Sequence, residues 1–230
     1  SMEDILKKAK QWLTSTFDAE TQSEIQNLID NNPKDLADRF YKDMEFGTGG
    51  MRGVMGAGTN RINKYTLGRA TQGLSNYLIE NVEKEELKVV IAFDCRHNSK
   101  KFAKVVADVL SANNIKVFLF EDLRATPELS FAVRHLGCDA GIVLTASHNP
   151  PEYNGYKVYW ADGGQIVPPH DGGIIGKVND LDFSEIKFDA NEDLIEVIGQ
   201  EVDNDFIDAS VQNGSLSDKI DRDNLKIVFT

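Results

Sequence analysis

The chain has 230 residues, of which 41% are hydrophobic and 27% charged, an ordinary composition for a protein that buries a core. Acidic residues outnumber basic ones 37 to 25, for a net charge of −12, and no run of Lys and Arg forms the basic face of a nucleic-acid binder. No stretch approaches the ~18 consecutive apolar residues of a membrane span, and the acidic start Met2-Glu3-Asp4 lacks the apolar region of a secretory signal. No nucleic-acid or membrane partner is therefore expected, and a cytoplasmic location is. Ser1 ahead of Met2 reads as a residue left by tag cleavage. Cys95 and Cys138 sit in apolar, strand-like runs and are expected as reduced thiols.

Taken in chain order, the first 45 residues read as helices. Ile5, Leu6, Ala9, Trp12, Leu13 and Phe17 fall at helical spacing. Ile25, Leu28 and Ile29 form a second set before the stop Asn31-Asn32-Pro33, and Leu36, Ala37, Phe40 and Tyr41 a third. Phe46 to Gly56 is too rich in glycine for a helix interior and reads as a loop. Helix and strand then alternate. Helices are expected at Tyr65–Leu78, Lys100–Leu110 and Pro127–His135, and uniformly apolar strands at Lys88–Phe93, Lys116–Phe120 and Ala140–Leu144. Such strands indicate an α/β fold, a mostly parallel sheet covered by helices on both faces, here with an N-terminal helical extension. Tyr153 to Val167, with its Gly163-Gly164 turn, fits a hairpin. Residues 181–200 are acidic and weakly patterned, and 201–211 suit a helix. Leu225 to Thr230 reads as a strand that ends with nothing after it. The expected organisation is one α/β domain over 1–200 and the opening of a truncated second over 201–230. An unpaired terminal strand of this kind is expected to promote self-association.

Three segments carry chemistry. Thr145-Ala146-Ser147-His148-Asn149-Pro150 follows an apolar strand, where open α/β sheets bind ligands, and Asn149-Pro150-Pro151 forces a turn that keeps Ser147 out of a helix. On residues alone a surface loop is the more common reading of such a Ser-His pair. A Ser-His-Asp hydrolase fits poorly, because Ser147 lacks the flanking glycines of a nucleophile elbow. Gly47-Thr48-Gly49-Gly50-Met51-Arg52-Gly53 matches neither the dinucleotide fingerprint nor the P-loop. It is a tight turn or a loop that lets backbone approach a ligand, with the Arg52 guanidinium suited to bidentate phosphate contact. In Asn154-Gly155-Tyr156-Lys157-Val158-Tyr159-Trp160, Lys157 is a snorkelling strand lysine or a desolvated cation beside a phosphate.

Together these segments resemble the α-D-phosphohexomutases, the family of phosphoglucomutases, phosphomannomutases and phosphopentomutases. Thr145 to Lys157 is similar to that family's phosphoserine loop and N-G-x-K strand, and Phe46 to Gly53 to its F-G-T-x-G-x-R-G loop. Asp94-Cys95-Arg96-His97-Asn98-Ser99 resembles its D-x-R-x-x-S segment, Thr126-Pro127-Glu128-Leu129 its T-P helix start, and Asp162 to Ile166 also fits. Gly49 stands where glucosamine-phosphate mutases tend to carry Asp, and the helical extension looks closer to the phosphoglucomutase/phosphopentomutase branch.

The resemblance implies the first domain of a phosphoglucomutase-type enzyme that interconverts sugar 1-phosphate and 6-phosphate. Phosphomannomutase or phosphopentomutase activity, or a non-catalytic phosphosugar-binding module, are the alternatives. It implies Ser147 as phosphoryl carrier and ligand of Mg²⁺, Arg52 as clamp, and His148 and Lys157 as proton-transfer or electrostatic groups, all four touching a sugar phosphate substrate. Glucose 1,6-bisphosphate is the implied activator. The family's metal loop, sugar-selecting loop and phosphate-gripping loop do not occur in these 230 residues, so the chain is expected to form one wall of the cleft and to be inactive alone. Asp203 and Asp205, two apart in a helix-like acidic run, are not read as ligands.

Overall fold

A computed structural model of the chain describes residues 1–94, 97–122, 124, 126–145 and 152–214. The expected strand at Leu225–Thr230 and Cys95 lie outside the described residues.

The N-terminal layer is three helices, α1 (Met2–Gln11), α2 (Ala19–Asn31) and α3 (Pro33–Phe40). Each starts at a side-chain cap: Ser1, Asp18 and Asn32 accept from the backbone N–H of Asp4, Thr21 and Asp35. Their apolar stripes converge on Trp12, Phe17, Ile25, Leu36 and Phe40, all buried. Burying a large apolar side chain of this kind stabilises by about 1.5–3 kcal/mol. Phe17 lies beyond the end of α1, yet its ring stacks on Trp12 at 4.4 Å. Tyr65, from the next helix, bolts this layer to the rest. Its hydroxyl donates to Asp18 Oδ2 (2.9 Å) and accepts from the Asp18 N–H (2.7 Å).

The remaining elements are β1 (Gly50–Val54), α4 (Lys64–Asn81), β2 (Lys88–Phe93), α5 (His97–Ala112), β3 (Lys116–Phe120), α6 (Thr126–His135), β4 (Ala140–Thr145), β5 (Tyr153–Trp160), α7 (His170–Asn179), β6 (Ile195–Ile198) and α8 (Gln200–Gln212). The sheet runs β1-β5-β4-β2-β3-β6. β4, β2, β3 and β6 are parallel, while β5 is antiparallel to both β4 and β1. The sheet is thus mixed, with its parallel part on four strands. Val89, Ile91 and Phe93 face a core built with α4, α5 and α7, while Val90 and Ala92 face a second core built with α6 and α8. Burial on both faces is why these strands read as continuous apolar runs.

Several elements depart from the sequence expectations. β1 falls inside the glycine segment taken as a loop, because pairing with β5 outweighs its poor intrinsic propensity. β6 lies in the weakly patterned acidic stretch; as an edge strand it buries little, and Val197 is 59% exposed. α7 contains Gly172, Gly173 and Gly176 and forms against α4, where a Cβ on Gly173 would come 2.2 Å from the Tyr77 ring. The expected hairpin reduces to one bridge, Tyr159 to Gln165, around Gly163 at φ +79°. Cys138 precedes β4 rather than lying in a strand, and is a free, buried thiol. Burial, with Asp139 beside it, pushes that thiol up to about 12.

Candidate active site

At the antiparallel end of the sheet, register fixes which side chains share a face. Arg52 on β1 pairs with Gly155 on β5, and Gly155 pairs with Thr145 at the end of β4. Lys157 lies in the adjacent row, between Gly50 and Val143. Since residues opposite or two apart in a sheet point the same way, Arg52, Lys157 and Thr145 project from one face. Both cations are exposed, while the alternate residues Met51, Tyr156 and Val158 are buried on the other face. Gly155 puts no side chain between Arg52 and Thr145, and a Cβ there would stand 3.2 Å from the Thr145 carbonyl oxygen.

The glycine loop explains how Arg52 reaches this place. The Val158 N–H donates to the Gly49 carbonyl (2.7 Å), and the Gly47 N–H donates to the Gly50 carbonyl (2.9 Å). Gly50 has φ +142°, and a Cβ on it would lie 1.7 Å from the Tyr156 carbonyl oxygen. Only glycine lets β1 start flush against β5. Beneath the cations, Tyr156 is fully buried; its ring meets Phe46 edge-on at 6.3 Å and its hydroxyl lies 3.0 Å from Thr71 Oγ1. That burial raises the phenol, so it stays neutral.

Two of the motifs are joined directly. Asn154 Nδ2 donates to Ser99 Oγ in the first turn of α5 (3.2 Å), and Asn154 Oδ1 accepts from the Gly155 N–H (2.8 Å). Both side chains are buried. The Asp94 N–H donates to the Leu144 carbonyl (3.0 Å), tying the end of β2 to the end of β4. The structure therefore brings Arg52, Lys157 and Thr145 to one face at the end of β4, while Asn154 and Ser99 link β5 to α5 on the opposite, buried face. Ser147, His148 and Arg96 lie outside the described residues.

One charged group escaped the sequence reading. Arg124 donates through Nε and Nη2 to both oxygens of Asp203 on α8 (2.7 and 3.0 Å), and its N–H donates to the Phe93 carbonyl at the end of β2 (3.3 Å). Glu128, wholly buried on α6, lies 3.5 Å from Arg124 Nε, yet neither of its oxygens has a hydrogen-bond partner among the described residues. Burial first, and the Asp203 carboxylate second, push the Glu128 carboxyl up to about 9. Asp203 holds the guanidinium fork, which leaves Arg124 too little pull on Glu128 to keep it ionised. Nothing in the sequence pairs 124 with 203; only the T-P-E-L resemblance drew attention to the neighbourhood. Asp205 Oδ2 lies 2.9 Å from His135 Nε2, so the two aspartates of the acidic run have different partners, Asp203 with Arg124 and Asp205 with His135. Among the described residues no group of three or more His, Cys, Asp or Glu is placed to hold a metal ion, and no helix is long and apolar enough to cross a membrane.

Residues 43–185 match the model of the phosphoglucomutase/phosphomannomutase family, α/β/α domain I. A phosphoglucomutase of Staphylococcus haemolyticus is 38% identical over 193 residues, covering 83% of this chain and 35% of its own. A phosphopentomutase of Homo sapiens is 41% identical over 176 residues, covering 73% and 29%. Among solved structures, a Thermus thermophilus protein assigned as a phosphomannomutase superposes with a TM-score of 0.59 at 33% identity, over 68% of this chain and 33% of that one. The chain spans about a third of the length of these relatives.

Proposed function

Because the chain belongs to the phosphoglucomutase/phosphomannomutase family and carries its α/β/α domain I, we propose that it supplies the phosphoryl-carrying wall of a sugar-phosphate mutase. The observation that carries this reading is the row Arg52–Gly155–Thr145 with Lys157 beside it. Two cations stand on one face at the end of β4, and Ser147 follows Thr145 by two residues, a span of at most ~7 Å.

A serine phosphate ester is stable, so its transfer depends on position and charge neutralisation. A hydroxyl of the sugar monophosphate attacks the phosphorus on Ser147 in line. The bond from phosphorus to Ser147 Oγ breaks as the bond to the sugar oxygen forms, and the sugar becomes a bisphosphate. The proton of the attacking hydroxyl passes to a base, for which His148 is the candidate. After the bisphosphate turns over, Ser147 Oγ takes the other phosphoryl group and the isomeric monophosphate leaves. Arg52 clamps the equatorial oxygens through its fork, and Lys157 adds a point charge one strand away. A free sugar bisphosphate recharges a dephosphorylated Ser147 by the same route, which makes glucose 1,6-bisphosphate the proposed activator. The described residues hold no ligand set for Mg²⁺; the proposed contribution of this chain is a phosphoryl oxygen on Ser147. Both glucose and pentose phosphates are proposed substrates, since the relatives named above divide between phosphoglucomutase and phosphopentomutase.

The test is made in the full-length protein. Intact-mass and peptide spectrometry should find phosphate on Ser147, and Ser147→Ala should abolish turnover of both glucose 1-phosphate and ribose 1-phosphate. Covalent labelling of Ser147 by a fluorophosphonate, with no phosphate there, would instead mark a hydrolase.

A further inference from the structure

The family match begins at residue 43, so nothing yet assigns a role to α1–α3. The contacts at the end of α3 go beyond a covering layer. Arg39 Nε donates to Asp35 Oδ2 within α3 (3.1 Å), and Nη1 donates to Glu24 Oε2 on α2 (2.6 Å) and to the Ala57 carbonyl (3.1 Å). Glu24 Oε2 also accepts from the Ala57 N–H (2.9 Å). The ion pair thus grips Ala57 by both its N–H and its carbonyl. The loop lies so close that a Cβ on Gly56 would stand 2.9 Å from Arg39 Nη1, and one on Gly58 2.9 Å from the Arg39 carbonyl oxygen; both have positive φ. The Asn60 N–H donates to that same carbonyl (2.9 Å), and Arg61 reaches back to Asp38 Oδ2 (2.5 Å).

What this loop holds is β1. The Ile62 N–H donates to the Val54 carbonyl (2.7 Å) and the Gly56 N–H to the Ile62 carbonyl (3.1 Å), closing residues 55–62 onto the last residue of β1. Val54 is two residues from Arg52. One long edge of β1 is fixed by β5, and its end is fixed by this gripped loop.

We infer that Arg39, with Glu24, is a positioning residue that holds Arg52 in register with Gly155 and Thr145. The inference rests on reading Arg52 as the phosphoryl clamp. A partly exposed ion pair adds little stability by itself, and Glu24 is 42% exposed. Displacing a clamp by an ångström, in contrast, costs up to about a hundredfold in rate. The N-terminal helices are then part of the catalytic apparatus without touching substrate.

The test is a double-mutant cycle in the full-length protein, with turnover of glucose 1-phosphate read well below each variant's melting temperature. Arg39→Ala should lower kcat/KM about ten- to a hundredfold in the otherwise unchanged enzyme. In an Arg52→Lys background, where the fork is already lost, the same change should cost less than about twofold. Should Arg39→Ala fold poorly, Glu24→Gln weakens the same grip more gently and should show the same dependence on background. Equal losses in both backgrounds would overturn the inference, since Arg39 would then act independently of Arg52. An Arg52→Lys enzyme with unchanged kcat/KM would overturn the clamp reading itself, a result distinguishable from the first because it needs no change at Arg39.

Discussion

The two ends of the sheet are held by different physics. In β2 and β4 nearly every side chain is buried, and two cores close over opposite faces. In β1 and β5 one face packs on Phe46, Met51, Tyr156 and Val158, while the other exposes Arg52 and Lys157. Position in the parallel half comes from packed volume. At the antiparallel end it comes from glycines that admit backbone and from single polar links such as Asn154 to Ser99 and Tyr156 to Thr71. Exposed side chains such as Arg52 and Lys157 gain little from burial, so their end of the sheet is located by backbone instead.

The contrast breaks most visibly where the parallel half hides charge. Arg124→Met strands Asp203 without its partner in a dry site, and should destabilise by about 3–5 kcal/mol in denaturant melts. A small effect would mean that packed volume alone holds α8 against α6. Gly50→Ala tests the other end. Its Cβ has nowhere to go, so β1 should lift from β5 at a cost of about 2–3 kcal/mol, and amide exchange at Gly50–Val54 should quicken while β2 stays protected. Uniform exchange across both would show one undivided unit.

Glu128 adds a pH signature. Its folded pKa of about 9 lies above the ordinary carboxyl value of 4.5, so the folded chain keeps a proton that the unfolded chain releases. Its contribution is complete below about pH 4.5 and is lost as pH rises towards 9, with a slope of at most about 1.4 kcal/mol per pH unit. Glu128→Gln should remove that slope from a plot of stability against pH. Tyr156→Phe should have the smallest effect, about 1 kcal/mol for one lost hydrogen bond to Thr71, with the exposed face left in place. Comparable losses of sugar-phosphate binding in Tyr156→Phe and Arg52→Lys proteins would undo the separation between the buried and exposed faces.

The parallel half was legible because doubly buried strands can only be apolar, so Lys88–Phe93 and Ala140–Leu144 announced themselves. The motif residues were legible as types, and register supplied what spacing does not: Arg52, Gly155 and Thr145 share one row. β1 was missed because its stability lies in pairing with a distant strand, and β6 because an edge strand buries too little to carry a pattern. α7 was hidden by its three glycines, of which only Gly173 has a visible reason, the neighbouring Tyr77 ring. The Arg124–Asp203 pair was beyond reach, since only the docking of α8 brings its members together.

The pairing of β1 with β5 also sets an order in time. β2 finds β3 a short distance along the chain, whereas Arg52 must wait for Gly155, roughly a hundred residues later. At ~5–20 residues per second of synthesis, β1 leaves the ribosome on the order of ten seconds before its partner strand exists. Through that interval β1 is an open edge whose N–H and carbonyl groups lack their strand partner. Slowing translation between codons 54 and 153 lengthens the exposure, and a chaperone that captures nascent edges has its longest opportunity at the strand that bears Arg52.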